Sequence, residues 1–414
     1  MSVLPASIDY PKEVASLPEG SSAKTVAVRP ANGSSFGASS TIQFDLPQNG
    51  FMDGKSLYLR YRATVANTAT QSSTVIGIPA YSYFNRVATY MGATLVESLG
   101  DYSQTASLLY NLRHDIGNKL GGGIQYGFID TDITSCDGQT LSENGSEFYA
   151  PHVICCLSEA NEMVPLGALP QVRLEFSIDA IANIFFDTAS AGEYAPNSIT
   201  IDNLELVYNS VDFGPEVMNH IAGEKFLMKT NSFMNSAVAL ASGSTGTYNL
   251  SFSQRLSSIK ALYACLSPAT RNRSRDSVDI TAGTGNFQFN VAGNVYPQSP
   301  LSTLNNKAGF MASLKDTVDV IGSKNGMSIN RVEFERADQA SLATTADQPG
   351  KFYPAVKTEV LHNDKILTGV SSQGSNITLN VSQTYTTQNL YNVHLISAHD
   401  MVLEVEEGMV SVRV

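Results

Sequence analysis

The feature that most restricts this chain is an internal repeat. Tyr102, Ala106, Leu109, Leu112, Ile116 and Leu120 form an apolar stripe at spacings of 4, 3, 3, 4 and 4. Leu304, Ala308, Met311, Leu314 and Val318 form another at 4, 3, 3 and 4, displaced by 202 residues (304 less 102). Each has the 3.6-residue period of a helix with one apolar face. The alternating run Leu57/Leu59/Tyr61/Ala63 falls on Ile259/Ala261/Tyr263/Cys265 at the same 202. Phe148-Tyr149 before Ala150-Pro151 matches Phe352-Tyr353 before Pro354-Ala355 at 204, and Leu174/Phe176/Ile178 matches Ile377/Leu379/Val381 at 203. A fifth pair sets Asn203–Val207 on Asn392–Ile396 at 189; the drop of 14 (203 less 189) is placed in a longer hairpin loop, 179–198, of the first copy. One such match means little, because alternating strands resemble each other. Five in one order point to tandem duplication. The competing reading is two unrelated β domains whose patterns happen to align.

On the duplication reading, residues 1–34 are an N-terminal arm, 35–213 the first unit, 214–239 a linker and 240–414 the second unit. Period-two alternation predicts strands at 57–65, 172–178 and 401–405, with shorter ones around Ile42, Leu250, Phe289 and Leu379. Between Ile201 and Leu204 the alternation changes phase at Asp202-Asn203, which predicts a β-bulge. A short helix is expected at 215–222, after Gly214-Pro215. Hairpins rather than β-α-β alternation exclude a doubly wound fold. The expected fold class is all-β: two tandem eight-stranded jelly-roll sandwiches, with a few short helices. The polar stretches 120–147, 266–285 and 321–350 are too long for hairpin turns and read as projecting loops.

Composition agrees. Charged residues are only 15% of the 414, and the net charge is −12. A chain this acidic does not wrap nucleic acid, and no direct sequence-specific nucleic-acid binding is expected. The first 30 residues carry Lys12, Lys24 and Arg29 against Asp9, Glu13 and Glu19, so the arm is neutral. There is no apolar run long enough for a membrane helix, and the opening MSVLPASIDYPKEV has no signal-peptide pattern. Cys136, Cys155, Cys156 and Cys265 are too few for a disulfide framework and suit a reducing compartment.

Patterns that carry chemistry are weak. Gly33-Ser34-Ser35-Phe36-Gly37 fits the G-x-S-x-G of hydrolases, but no strand–turn–helix elbow surrounds it; a flexible linker is the simpler reading. His114, His152, His220, His362, His394 and His399 are scattered, and His394 and His399 are five apart, on opposite faces of an extended strand. Adjacent Cys155-Cys156 read as buried small hydrophobes. Asp130-Thr131-Asp132 lacks further oxygen ligands at Ca²⁺-loop spacing, and Glu404, Glu406 and Glu407 read as a solvated strand face. The Gly-rich runs 121–123 and 283–285 complete no nucleotide fingerprint, and the six formal glycosylation sequons carry little weight without a secretion signal. No catalytic, cofactor-binding or metal residue is assigned, and no cofactor.

The duplicated strands 57–63 and 259–265, the stripes 102–116 and 304–318, and the paired strands 172–178 and 377–381 resemble the double jelly-roll major capsid proteins. That lineage includes adenovirus hexon and the coats of tailless membrane-containing phages, virophages and large nucleocytoplasmic DNA viruses. The opening Phe51-Met52-Asp53-Gly54, and the run from Ile78-Pro79-Ala80 through Phe84-Asn85-Arg86, are similar to coats of that group. The resemblance implies a non-enzymatic major capsid protein, made and assembled inside the host cell and resident in the virion. It implies homotrimers presenting six sandwiches as a pseudo-hexagonal tile. The partners it implies are the chain itself, neighbouring capsomers, minor capsid and vertex proteins, and an internal membrane reached through the arm. The alternatives are a phage receptor-binding, baseplate or carbohydrate-binding β-sandwich, which the absence of Trp weakens, and a β-sandwich enzyme.

Overall fold

The computed structural model describes residues 20–66, 75–76, 79–115, 125–126, 140–141, 146–184, 198–240, 246–268, 285–302, 307–322, 327–329, 331, 334, 351–359, 367–383, 391–406 and 408–414. They form two antiparallel sandwiches. In the first, one sheet has the order β1 (Ser22–Val28), β11 (Ser198–Asp212), β4 (Phe51–Ala66), β9 (Ser146–Tyr149), with β2 (Ser35–Gly37) also on β11. Its other sheet has the order β3 (Thr41–Asp45), β10 (Val172–Ile178), β6 (Phe84–Met91), β7 (Thr94–Leu99). In the second, β12 (Phe226–Leu240), β19 (Tyr391–Glu406), β14 (Ile259–Pro268) and β17 (Ala355–Lys357) form one sheet, with β20 (Met409–Arg413) also on β19. The other is β13 (Gly246–Phe252), β18 (Ile377–Gln383), β15 (Gly285–Val291), β16 (Asn294–Ser302). A small ribbon pairs β5 (Val75–Ile76) with β8 (Thr140–Leu141).

Counting only the eight principal strands of each unit in chain order, both units have one sheet ordered first-eighth-third-sixth and one ordered second-seventh-fourth-fifth. That winding is the jelly roll, and its recurrence is the duplication seen in the sequence. The alternation drives it. Leu57, Leu59, Tyr61, Ala63 and Val65 are buried along β4, while the residues between them are partly or fully exposed. The cores then close on aromatic rings. Phe84 meets Phe176 at 5.5 Å and Tyr61 at 5.5 Å in the first unit; Phe310 meets Phe352 at 5.3 Å in the second. Such pairs add to the burial of their own area.

The expected bulge is present: the β4–β11 register shifts between Asp202 and Glu205, and Asn203 has φ 51. Three expectations change. First, the arm of 1–34 and the linker of 214–239 each give up a strand: Ser22–Val28 pairs with β11 along its whole length, and Phe226–Leu240 with β19. Second, the last repeat is offset by 193 before the bulge and 192 after it, not 189, since Ile201 faces Ala63 and His394 faces Cys265 (394 less 201), while Leu206 faces Leu59 and Ala398 faces Ala261 (398 less 206). Third, the helices differ in extent and phase. α1 (Tyr102–Arg113) ends where His114 turns extended, with Ile116 and Leu120 outside the described residues. α2 (Ile181–Ile184) is a single turn, and α3 (Pro215–Ala222) lies where expected. α4 (Lys307–Asp316) buries Phe310 and Leu314 rather than the Ala308–Met311–Val318 line, because the large Phe310 ring is what packs on Phe287 and Phe352. Leu304 lies outside the described residues.

Gly54 in β4 marks a close approach. A Cβ there would stand 1.9 Å from the carbonyl oxygen of Leu157. Gly54→Ala is therefore expected to lower unfolding free energy by about 1–3 kcal/mol, the usual cost of overpacking. The control Gly100→Ala, whose Cβ meets nothing within 4 Å, should shift the denaturant midpoint little.

Candidate functional site

The most elaborate polar arrangement lies where the two sandwiches meet. β12, the leading edge strand of the second unit, is held by three parts of the first. Along its free edge runs the segment 156–160, through an antiparallel bridge between Ala160 and Thr230 and a bond from Thr230 Oγ1 to the Cys156 carbonyl at 2.6 Å. From β7, the buried Glu97 carboxylate accepts the Ser232 hydroxyl and the Cys156 N–H, the latter at 2.6 Å. From α1, Thr105 receives Asn235 at 3.4 Å, and Gln104 bonds Cys265 of β14. At the end of α1, the Asn111 carbonyl accepts the Ser328 N–H at 2.9 Å. There Arg113 forks onto Glu159 at 2.7 and 2.6 Å and donates to the Ile321 carbonyl at 3.2 Å. The carbonyls that a helix leaves open at its end are thus met partly from the other unit. Every residue of α1 from Tyr102 to Leu112 is buried in consequence.

Burial dominates the electrostatics. It raises Glu97 from 4.5 to about 7, against the bonds from Ser232 and Cys156. It pushes the Cys155 and Cys265 thiols up to about 12 and raises the Cys156 thiol well above its ordinary value, so these are inert core groups. Cys155 and Cys156 lie in a turn rather than on a strand. A cavity of about 360 Å³ sits beside the seam, lined by Tyr110, Arg113, His152, Glu159 and Asn231 among others. His114 stacks on Tyr110 at 4.4 Å, and burial lowers both His114 and His152.

The residues weighed for chemistry stay apart. Ser35 is exposed on the three-residue β2, with no helix after it. His220 is exposed on α3; His394 lies beside Asn235, and His399 is buried. Glu404 pairs with Lys225 and Arg413. Among the described residues no three His, Cys, Asp or Glu gather to hold a metal, and no helix is long and apolar enough to cross a membrane. Asp130-Thr131-Asp132, glycines 121–123, Cys136, His362 and Glu407 lie outside the described residues. Glu97, Arg113 and Glu159 were missed by sequence reasoning. For Glu97 the available signal was a lone charge inside an apolar run, Leu95-Val96-Glu97-Ser98-Leu99.

No protein-family model matches the chain, and no curated protein matches it by sequence. Solved structures do match its shape. The PBCV-1 virus capsid superposes with a TM-score of 0.65 at 11% identity, covering 97% of this chain and 98% of that one. The Faustovirus major capsid protein gives 0.63 at 11%, covering 98% and 93%. The mavirus major capsid protein gives 0.56 at 10%, covering 100% and 95%. This chain has the double jelly-roll fold. At such identities the shared property is the fold.

Glu97 makes that joint sensitive to pH. An acid whose value rises on folding contributes stability that is present below about 4.5 and is lost as pH climbs through about 7. Glu97→Gln keeps an acceptor for Cys156 and removes the buried charge. Relative to the parent it should be more stable at pH 8, by at most about 3 kcal/mol, with the difference shrinking toward pH 4. Urea midpoints across pH 4–8 measure this, and parallel curves for the two proteins would refute it.

Proposed function

We propose that this chain is the major coat protein of an icosahedral DNA virus, assembled as homotrimers whose six sandwiches make a pseudo-hexagonal tile. The observation that carries this reading is that the seam is heterologous. The β7, α1 and 156–160 surface of the first unit grips the leading edge strand of the second. The second unit has the equivalent gripping elements, β16 and α4, whose main neighbours among the described residues all lie within the second unit itself. α4 leaves Ala308 and Ala312 exposed, where α1 is buried from Tyr102 through Leu112. The first unit has the equivalent leading strand, β1, and its residues Ser22–Thr25 are exposed, where β12 is buried at Met228, Thr230, Ser232 and Phe233.

Each chain therefore carries one unfilled grip and one ungripped strand. A head-to-tail contact of this kind closes into a ring when its rotation permits. Repeating the internal contact between chains gives a ring of three chains and six sandwiches. An exposed edge strand is also a liability that assembly removes. The fold shared with proteins named as virus capsid proteins supports the same reading. In it the chain is a structural protein of the virion, its partners being its own copies, neighbouring capsomers, and minor capsid and vertex proteins. The arm shortens to the residues ahead of Ser22 and serves contacts with neighbours or an internal membrane.

Native mass spectrometry or light scattering on dilute protein should find three times the chain mass; a monomer or a two-fold dimer sinks the proposal. Ala308→Glu with Ala312→Glu places charge on the open face of α4. It should yield monomers with an unchanged far-ultraviolet circular dichroism spectrum. Removing residues 1–19 should leave the trimer intact and impair shell assembly, whereas removal through residue 34 takes β1 away and should cost soluble, folded protein.

A further inference from the structure

Three neighbouring strands of the second unit and the end of a fourth bring a lysine amine, an asparagine amide and two buried carboxylates together. Lys260 lies at the register shift of β14, between Ile259 and Ala261. Asp400 is on β19, and Asn231 of β12 is its direct cross-strand partner. Glu359 follows β17, and its N–H bonds the Lys260 carbonyl at 3.0 Å. Lys260 Nζ donates to Asn231 Oδ1 at 3.0 Å, and stands 3.4 Å from Asp400 Oδ1 and 3.6 Å from Glu359 Oε1. The Lys260, Asp400 and Glu359 side chains are 6%, 0% and 1% exposed.

The carboxylates are held in place. Asp400 Oδ2 accepts from Ser258 Oγ at 2.7 Å, and Glu359 Oε1 from Thr368 Oγ1 at 2.7 Å. Lys229 Nζ lies 3.2 Å from Asp400 Oδ1, so two cations face two carboxylates. An ion-pair network alone needs no amide. Here the amine points at an amide carbonyl in a water-poor site with a proton acceptor on either side. That is the arrangement in which an amine acts as nucleophile.

We propose that Lys260 and Asn231 join in an intramolecular isopeptide bond, with Asp400 and Glu359 as the proton-transfer groups. The Lys260 ammonium gives a proton to Asp400, and the freed electron pair on Nζ attacks Asn231 Cγ. The Nζ–Cγ bond forms and the Cγ–Nδ2 bond breaks. Glu359 passes protons between the amide oxygen and the reacting nitrogens as the tetrahedral intermediate forms and collapses. The two protons lost by the ammonium leave on Nδ2, which departs as ammonium. No oxidant or reductant is needed. Asn231 also lines the seam cavity, which gives the departing nitrogen a way out. The product ties β12, the strand on which the seam depends, to β14 across β19. The inference is independent of the coat-protein reading.

The test is the intact mass of the purified full-length protein under denaturing conditions, followed by a tryptic map. The expected result is a mass about 17 Da below that of the sequence, one ammonia. The map should contain a single branched peptide joining the Lys260 and Asn231 segments. The full sequence mass overturns the proposal. So does a 17 Da loss without the branched peptide, because succinimide formation at an asparagine gives the same loss. Lys260→Arg keeps the cation and removes the nucleophile. It should retain the full mass expected of the variant, and a 17 Da loss there would equally overturn the assignment. The wild-type mass decides the question even if the variant fails to fold.

Discussion

The structure depends on one constraint: an edge strand cannot be left open at the point where two sandwiches meet. β12 is the leading strand of the second unit, and one of its edges pairs with β19. The other edge would present unpaired backbone groups to solvent. The first unit covers it with backbone from 156–160 and with side chains from β7 and α1. From this follow the full burial of α1, the close approach at Gly54 beneath Leu157, and the placement of a carboxylate at Glu97 where strand and turn both offer donors.

Polar groups rather than apolar area give the seam its register. Partly buried Arg113 is held charged by Glu159 in spite of burial that disfavours the charge. Such a pair is a weak source of net stability, because desolvation offsets attraction. Its geometry is demanding, however: a two-pronged bond at 2.7 and 2.6 Å fixes the end of α1 against the turn that carries Glu159. The same surface is joined to the second unit by Arg113 to Ile321 and by Ser328 to Asn111. A one-residue slip of β12 would misplace Thr230, Ser232 and Asn235 together, so the bonds select one docking of the two halves.

Much of the fold was legible because jelly-roll strands have one face in the core. Leu57 through Val65 alternate cleanly since the other face of β4 is only partly covered and keeps polar residues. β19 yielded only its end, 401–405, to the same reading: it is buried on both faces from Val393 to Met401, so Asp400 and His399 sit within a buried run that period-two reasoning cannot divide. The stripe on α4 was phased wrongly because small Ala308 and large Phe310 count alike in a periodicity, whereas packing favours the ring. β1 was read as arm because Ser22–Val28 is mostly exposed, and an exposed edge strand carries little apolar signal.

By itself the sequence determined what local physics determines. Alternation set the strands, the repeated order of stripes and strands set two copies of one unit, and the phase change at Asp202-Asn203 set a bulge. Each depends on residues close in the chain or on a pattern recurring at a fixed offset. Only the tertiary structure decided which edges are covered and which remain open. That choice brings Glu97 to Ser232 across 135 positions and Asn111 to Ser328 across 217. Asn231, Lys260, Glu359 and Asp400 likewise meet from four separate strands or strand ends. Contacts so distant in sequence leave no period to read, because their partners are chosen by how two finished sandwiches fit rather than by any property of the neighbouring residues.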